Sequence, residues 1–258
     1  MKTGSEIIVD VLADEGVETI FGYSGGAILP TYDEVFKYNE ANPENPMPLI
    51  VPSNEQGAGF MASGYARSTG KPGVVMVTSG PGATNTVTPV RDAMADSIPM
   101  VIICGQVSRQ AIGSDAFQEA PVTSVMGSVA KHVFLVTDEN KLAATLKAAF
   151  EVATSGRPGP VVVDIPKDVQ TAEISEEDYE DTNISAYSNR ILAIEKSRLN
   201  EEKSSEFFTH LGNSKRPLIY FGGGVISASA SKELREFVDY FNLPAVSTLM
   251  GLGAVDTR

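Results

Sequence analysis

The chain has 258 residues, 42% of them hydrophobic and 21% charged, which suits a globular protein of one full α/β domain and part of another. Its 33 acidic and 20 basic residues give a net charge of −13, which argues against a nucleic-acid backbone as partner but not against small anions held at loops or helix N-termini. No apolar run reaches membrane-spanning length, and Cys104, the only cysteine, excludes an intrachain disulfide and fits a reducing, cytoplasmic location.

In chain order, Thr3 and Glu6 have the spacing of a capping box, and no leader segment is expected before them. Ile7, Ile8, Val11 and Leu12 then fall on one face of a helix over 5–15 that stops at Gly16. A strand over 19–21 leads to the turn Gly22-Tyr23-Ser24-Gly25-Gly26, and a helix starts near Ala27 and ends before the proline-rich stretch 42–48. Residues 49–51 read as a strand, 55–68 as a helix closed by Gly70, and 74–77 as the next strand. A helix over 85–95 carries Pro89 in its first turns, where proline is best tolerated. Strands over 99–104, 133–136 and 161–165 follow, with a helix over 141–154 before the last.

Continuous apolar strands separated by helices predict a parallel sheet covered on both faces. The first domain is placed at 1–170. Residues 171–198, acidic and with little periodicity, are expected to form a solvated linker. A second α/β unit is placed at 199–258: a helix over 199–211, a strand over 217–221, the turn Gly222-Gly223-Gly224, a helix over 231–241 and a strand over 245–249. Two strands make no stable sheet alone, so this domain is expected to be cut short.

Three loops follow strands on what should be one edge of the first sheet: 23–27, 52–56 and 78–85. Glu55 opens a helix there. Helix electrostatics alone could explain an acidic residue at that position. The loops match no phosphate fingerprint: 22–27 lacks the Lys-Ser/Thr of a Walker loop, and Gly80-Pro81-Gly82 lacks a third glycine. Cys104, His132 and His210 show no metal-ligand spacing.

Taken together the motifs resemble a known family. In order stand Phe21-Gly22-Tyr23-Ser24-Gly25-Gly26-Ala27, Glu55-Gln56-Gly57-Ala58, Gly64-Tyr65-Ala66-Arg67, Thr78-Ser79-Gly80-Pro81-Gly82-Ala83-Thr84-Asn85 and Asp115-Ala116-Phe117-Gln118-Glu119. Lys131-His132, Gly156-Arg157-Pro158-Gly159-Pro160 and Asp164-Ile165-Pro166-Lys167-Asp168-Val169 come later. This series resembles the thiamine-diphosphate enzymes, and among them the acetolactate synthase (acetohydroxyacid synthase) catalytic subunits. The resemblance implies a flavodoxin-like pyrimidine-binding domain followed by the opening of a Rossmann-like middle domain, where Phe221-Gly222-Gly223-Gly224 and Thr248-Leu249-Met250-Gly251 match.

It also implies roles. Glu55 would bond the aminopyrimidine ring of thiamine diphosphate and relay a proton there. Gly25, Gly26 and Ala27 would lie beside the reacting carbon, and Pro81 and Asn85 near the pyrimidine pocket. Gln118 and Lys131 would belong to the substrate region. Arg157, Gly222, Gly223, Gly224, Thr248 and Leu249 would contact cofactor, FAD in the case of Arg157 and the three glycines. The implied reaction decarboxylates pyruvate and joins the two-carbon unit to a second 2-oxoacid, in branched-chain amino-acid biosynthesis, within a homodimer or larger assembly.

Three departures bear on the substrate: Asn54 in place of histidine, Ser24 in place of proline, and Thr88-Pro89-Val90-Arg91 in place of a smaller apolar stretch. Sulfoacetaldehyde acetyltransferases, pyruvate oxidases and 2-oxoacid decarboxylases share the glutamate, and a non-catalytic binding or assembly module stays open as a different class. The Gly-Asp-Gly…Asn motif that holds Mg²⁺ and the diphosphate in the family is absent from the sequence. The chain is therefore expected to be an N-terminal portion, inactive without a C-terminal domain or second subunit.

Overall fold

A computed structural model describes residues 1–196 and 199–256. By contact it divides into two units, Met1–Leu192 and Ala193–Arg258.

In the first unit β1 (Lys2–Thr3) leads into α1 (Gly4–Asp14). The capping box forms as predicted: Glu6 N–H donates to Thr3 Oγ1 at 3.2 Å, and Thr3 N–H donates to Glu6 Oε2 at 2.6 Å. Next come β2 (Ile20–Tyr23), α2 (Leu29–Ala41), β3 (Leu49–Ile50), α3 (Glu55–Thr69) and β4 (Gly73–Val77). Asn54 caps α3 by accepting from Gly57 N–H at 2.8 Å, and Gly70 ends it in the left-handed conformation at φ 75°.

Where the sequence predicts one helix over 85–95 there are two, α4 (Pro81–Asn85) and α5 (Val87–Asp96), with Thr86 between them. Pro89 has no N–H to give the Asn85 carbonyl, so one helix cannot run through without losing that bond. Thr86 Oγ1 instead donates to Ala83 O at 2.7 Å. β5 (Met100–Gln106), α6 (Val122–Met126), β6 (His132–Leu135), α7 (Leu142–Thr154), β7 (Pro160–Pro166), α8 (Lys167–Thr171), β8 (Glu173–Ile174) and α9 (Ser185–Lys196) complete the series.

β2 to β7 form one six-stranded parallel sheet in the order β3-β2-β4-β5-β7-β6. Strand alternation divides its side chains between two cores. Val74, Met76, Val101, Ile103, Val161, Val163 and Ile165 face α1, α2, α7 and α8. Val75, Val77, Ile102, Cys104 and Val162 face α3, α5 and α6, where Ala58, Ala62, Ala66 and Ala93 bring the helices close. Each fully buried Ile8, Leu12, Leu142 or Leu146 contributes about 2 kcal/mol of apolar burial.

The stretch expected as a solvated linker, 171–198, begins as part of this unit. β8 pairs antiparallel with β1, and Ile174 is buried in the core. Thr182 hydrogen-bonds Thr145 at 2.7 Å, and Tyr187 Oη donates to Ser155 O at 3.1 Å. A few inward residues anchor a segment whose many acidic side chains face solvent. Residues 197 and 198 lie outside the described residues.

The second unit holds α10 (Glu201–Asn213), β9 (Ile219–Phe221), α11 (Gly223–Ser227), α12 (Ser231–Tyr240) and β10 (Ala245–Ser247). β9 and β10 pair in parallel. Phe207, Phe208, Phe237 and Phe241 stack between α10 and α12.

Candidate functional site

The sheet has a topological switch at β2. From β2 the chain moves outward to β3, then returns to lay β4 on the other side of β2. The loops leaving β2 and β4 therefore diverge and open a crevice at the carboxyl edge, the usual ligand position in such sheets.

Glu55 enters this crevice from the first turn of α3, where the helix dipole favours a negative charge. The residue is only 9% exposed. Asn85, the last residue of α4, donates Nδ2–H to Glu55 Oε2 at 2.8 Å. No described protein group hydrogen-bonds Oε1. The break between α4 and α5 places Asn85 at a helix end instead of inside a continuous helix. Asn54 Oδ1 is taken by Gly57 N–H, so at this position the side chain serves the helix end.

Small residues shape the space around the carboxylate. A Cβ on Gly25 would lie 2.5 Å from Thr78 Cγ2, and one on Gly82 2.7 Å from the same methyl and 3.7 Å from Glu55 Oε1. A Cβ on Gly26 would meet nothing within 4 Å, so the loop presents open space there. Gly80 has φ 57°, and its Cβ would fall 2.4 Å from Gln118 O, so backbone strain and close approach both require glycine. Thr78 ties the two loops together: its Oγ1 accepts from Ala27 N–H at 3.2 Å.

Tyr32 lies behind the crevice and donates its hydroxyl to Met76 O at 2.9 Å. Burial, and then the charge of Glu55, push its phenol pKa upward, so it stays a neutral donor. On β7 Asp164 is 1% exposed and accepts from Gln106 Nε2 at 3.0 Å, while its Oδ1 has no partner. Burial pushes Asp164 up to about 7, against the lowering effect of Gln106. Among the described residues no three His, Cys, Asp or Glu side chains gather as metal ligands.

Of the residues singled out in the sequence, Gly25, Gly26, Ala27, Glu55, Pro81 and Asn85 share this edge. Gln118 joins through its backbone against Gly80. Lys131 does not. It precedes β6, and its ammonium donates to Val152 O and, at 2.7 Å, to Ser155 O. Its N–H bonds Pro160 O, which opens β7, so within one chain Lys131 lies at the opposite edge.

Arg157 lies at that edge too. It closes the C-terminus of α5, with Nη2 on Met94 O at 2.9 Å and Ala95 O at 3.0 Å and Nε on Ser97 Oγ at 2.8 Å. In the second unit, Cβ atoms on Gly222 and Gly223 would press on Thr248 and Met250, while Gly224 faces open space. Thr248 N–H bonds Phe221 O at 2.8 Å, and Leu249 is exposed on the turn that follows. Packing within the unit accounts for Gly222, Gly223 and Thr248. Arg157 as placed serves a helix end.

Two contributors carry no sequence signal of their own. Thr78 sits inside a quoted motif without a role of its own. Gln170, wholly buried, donates to Ala27 O at 2.7 Å, and no local pattern marks it.

The family model "Thiamine pyrophosphate enzyme, N-terminal TPP binding domain" matches residues 2–126, and "Thiamine pyrophosphate enzyme, central domain" matches residues 205–258. The chain is 43% identical over 256 residues to the mitochondrial acetolactate synthase catalytic subunit of Saccharomyces cerevisiae, covering 98% of this chain and 36% of that protein. It is 44% identical over 251 residues to the acetolactate synthase large subunit of Corynebacterium glutamicum, covering 97% and 38%. The corresponding figures for the large subunit of Haemophilus influenzae are 44% over 254 residues, 98% and 42%. The chain thus spans well under half the length of these curated relatives.

Proposed function

Because the chain belongs to the thiamine pyrophosphate enzymes and carries their N-terminal and central domains, we propose that the Glu55 crevice holds the aminopyrimidine half of thiamine diphosphate for a carboligation of the acetolactate synthase type. One observation carries this reading. Glu55 is buried at the switch point with Oε2 held by Asn85 and Oε1 left for a ligand. The residues fit such a group, since a Cβ on Gly82 would come 3.7 Å from that oxygen and one on Gly26 would meet only open space.

Bound there, thiamine diphosphate supplies the nucleophilic carbon and the electron sink that breaking a 2-oxoacid's carboxyl bond needs. The chain supplies the rest. Glu55 Oε1 would hold a proton at the pyrimidine ring nitrogen, and Asn85 Nδ2, bonded to Oε2, would fix the carboxylate's rotation. Gly25, Gly26 and Ala27 border the site with backbone, and the open space at Gly26 leaves room for a 2-oxoacid such as pyruvate. The acceptor 2-oxoacid, and FAD and Mg²⁺ elsewhere in the whole protein, remain part of the proposal and not of this site's geometry.

A second copy of the chain is the proposed cover. Tyr23, Ile50, Val51, Phe60 and Met61 are exposed apolar residues on the segments that frame Glu55. Sedimentation equilibrium should find a dimer at micromolar concentration that the double change Phe60→Asp, Met61→Asp separates; a monomeric parent would refute this partner.

The catalytic role is tested by joining residues 1–258 to the C-terminal remainder of the Corynebacterium relative and measuring acetolactate formed from pyruvate. Glu55→Gln should cost roughly a hundredfold or more in turnover while the unfolding midpoint stays put. Equal turnover in the two proteins would sink the assignment.

A further inference from the structure

Ala27 belongs to no helix or strand, yet both of its peptide groups are held by buried side chains. Its N–H donates to Thr78 Oγ1 at 3.2 Å. Its carbonyl accepts from Gln170 Nε2 at 2.7 Å. Gln170 comes from the end of α8, a short helix that the crevice does not otherwise use, and is 0% exposed.

Every polar atom of that amide is committed. Nε2 also donates to Ile165 O at 3.1 Å, and Oε1 accepts from Thr31 Oγ1 at 2.9 Å, itself wholly buried. The Gln170 backbone is pinned in turn, since Ser5 Oγ donates to Gln170 O at 2.9 Å. From the sheet side the Ala27 carbonyl lies hard against β5: a Cβ on Gly105 would come within 2.5 Å of it.

We infer that Gln170 is a positioning residue for the crevice, forming with Thr78 a two-sided clamp on Ala27 that fixes how far the Gly25-Gly26-Ala27 segment reaches over the Glu55 pocket. The inference rests on the reading of that pocket as the pyrimidine site. The physical argument is one of unpaired groups. A buried amide satisfied on both atoms can be replaced by an apolar side chain of the same length only by stranding the Ala27 carbonyl and the Thr31 hydroxyl. The segment then gains by lifting its carbonyl towards water. Thr78 stays in place because its methyl is wedged between Gly25 and Gly82, so loss of the Gln170 side leaves a loop held at one point. A loop held at one point pivots, and Gly26, which faces open space, is the part that moves into the site.

Amide hydrogen exchange on the 258-residue chain tests this. Gln170→Met keeps the length and removes every bond, and Thr78→Val keeps the shape and removes the other half of the clamp. Each should speed exchange at Ala27 and Ile28 about tenfold or more while amides of β4 and β5 keep their protection. Unchanged exchange at Ala27 and Ile28 in both variants would overturn the inference. A rise spread evenly over the sheet would do the same, because it would make Gln170 an ordinary core residue.

If Gln170→Met does not fold, Thr78→Val and the shape-conserving Gln170→Glu carry the same measurement. Repeating it with thiamine diphosphate separates the two claims. Protection of Ala27 by the ligand in the parent, lost in Glu55→Gln, supports the pyrimidine site. Protection that survives Glu55→Gln breaks the site reading and leaves the clamp judged by the unliganded data.

Discussion

The two edges of the six-stranded sheet carry motif residues of equal prominence in the sequence, and the structure uses them oppositely. At the carboxyl edge Glu55 is buried with one oxygen bonded and the other unclaimed by the protein. At the amino edge Lys131 and Arg157 donate to main-chain carbonyls that close α7 and α5. A charged group committed to a helix end has its task within the fold. A largely buried carboxylate with an oxygen that no protein group claims is open to a ligand or to water. Motif membership alone did not separate these cases; an accounting of hydrogen bonds does.

The largest expected contrast is in activity. In the extended protein Glu55→Gln should remove roughly two orders of magnitude of turnover, whereas Arg157→Ala should leave turnover within about twofold. Loss of turnover in both, with neither unfolding midpoint moved, would erase the distinction between the edges.

Asp164 tests the same accounting away from either edge. It too is buried with an oxygen lacking a partner, but it faces the core beside Cys104 and Gln106 instead of an opening. Its folded pKa, about 7, lies above the ordinary value of 3.8. Between those values the folded chain holds a proton that the unfolded chain has lost, so this group's contribution is full at low pH and declines as pH rises from about 4 to 7. Above that range the contribution is flat. Asp164→Asn should abolish a decline of the order of a few kcal/mol over that window, read as the difference between the two proteins' urea midpoints at several pH values. Parallel pH profiles for parent and variant would remove Asp164 from the comparison.

Much of this was legible beforehand, for reasons that also mark the limit. Strands such as Val74–Val77 and Val161–Val163 are buried on both faces, so their sequence is continuously apolar and the parallel sheet can be read directly. Glu55 could be placed because strand end, carboxylate and small residues are neighbours in sequence. β1 and β8, each two residues long, carry no readable period, and their pairing joins the two ends of the unit. The break at Thr86 depended on one missing amide at Pro89. Gln170 was invisible for a plainer reason: a polar residue is usually exposed, and its partner Ala27 lies 143 positions away. Lys131 and Arg157 were placed by resemblance, and resemblance does not say which carbonyls lie within reach.

Arg157→Ala carries the smallest expected effect and the most direct test of the amino edge. Its guanidinium accounts for two carbonyls and one hydroxyl at the end of α5, where helix carbonyls have no partner of their own and a cation is favoured. The side chain is exposed, so water can replace much of what is lost, and about 1 kcal/mol of destabilisation is expected, not the several of a buried pair. The loss should be local: α5 amides near Ala95 and Asp96 should exchange faster while those of α3 and β4 do not change. Such fraying would leave the Glu55 crevice intact, because Asn85 belongs to α4, across the break at Thr86 from α5. A perturbation that crossed the break and freed Asn85 from Glu55 would show that the two edges are coupled through the α4–α5 helix pair, and the separation argued from their hydrogen bonds would fail.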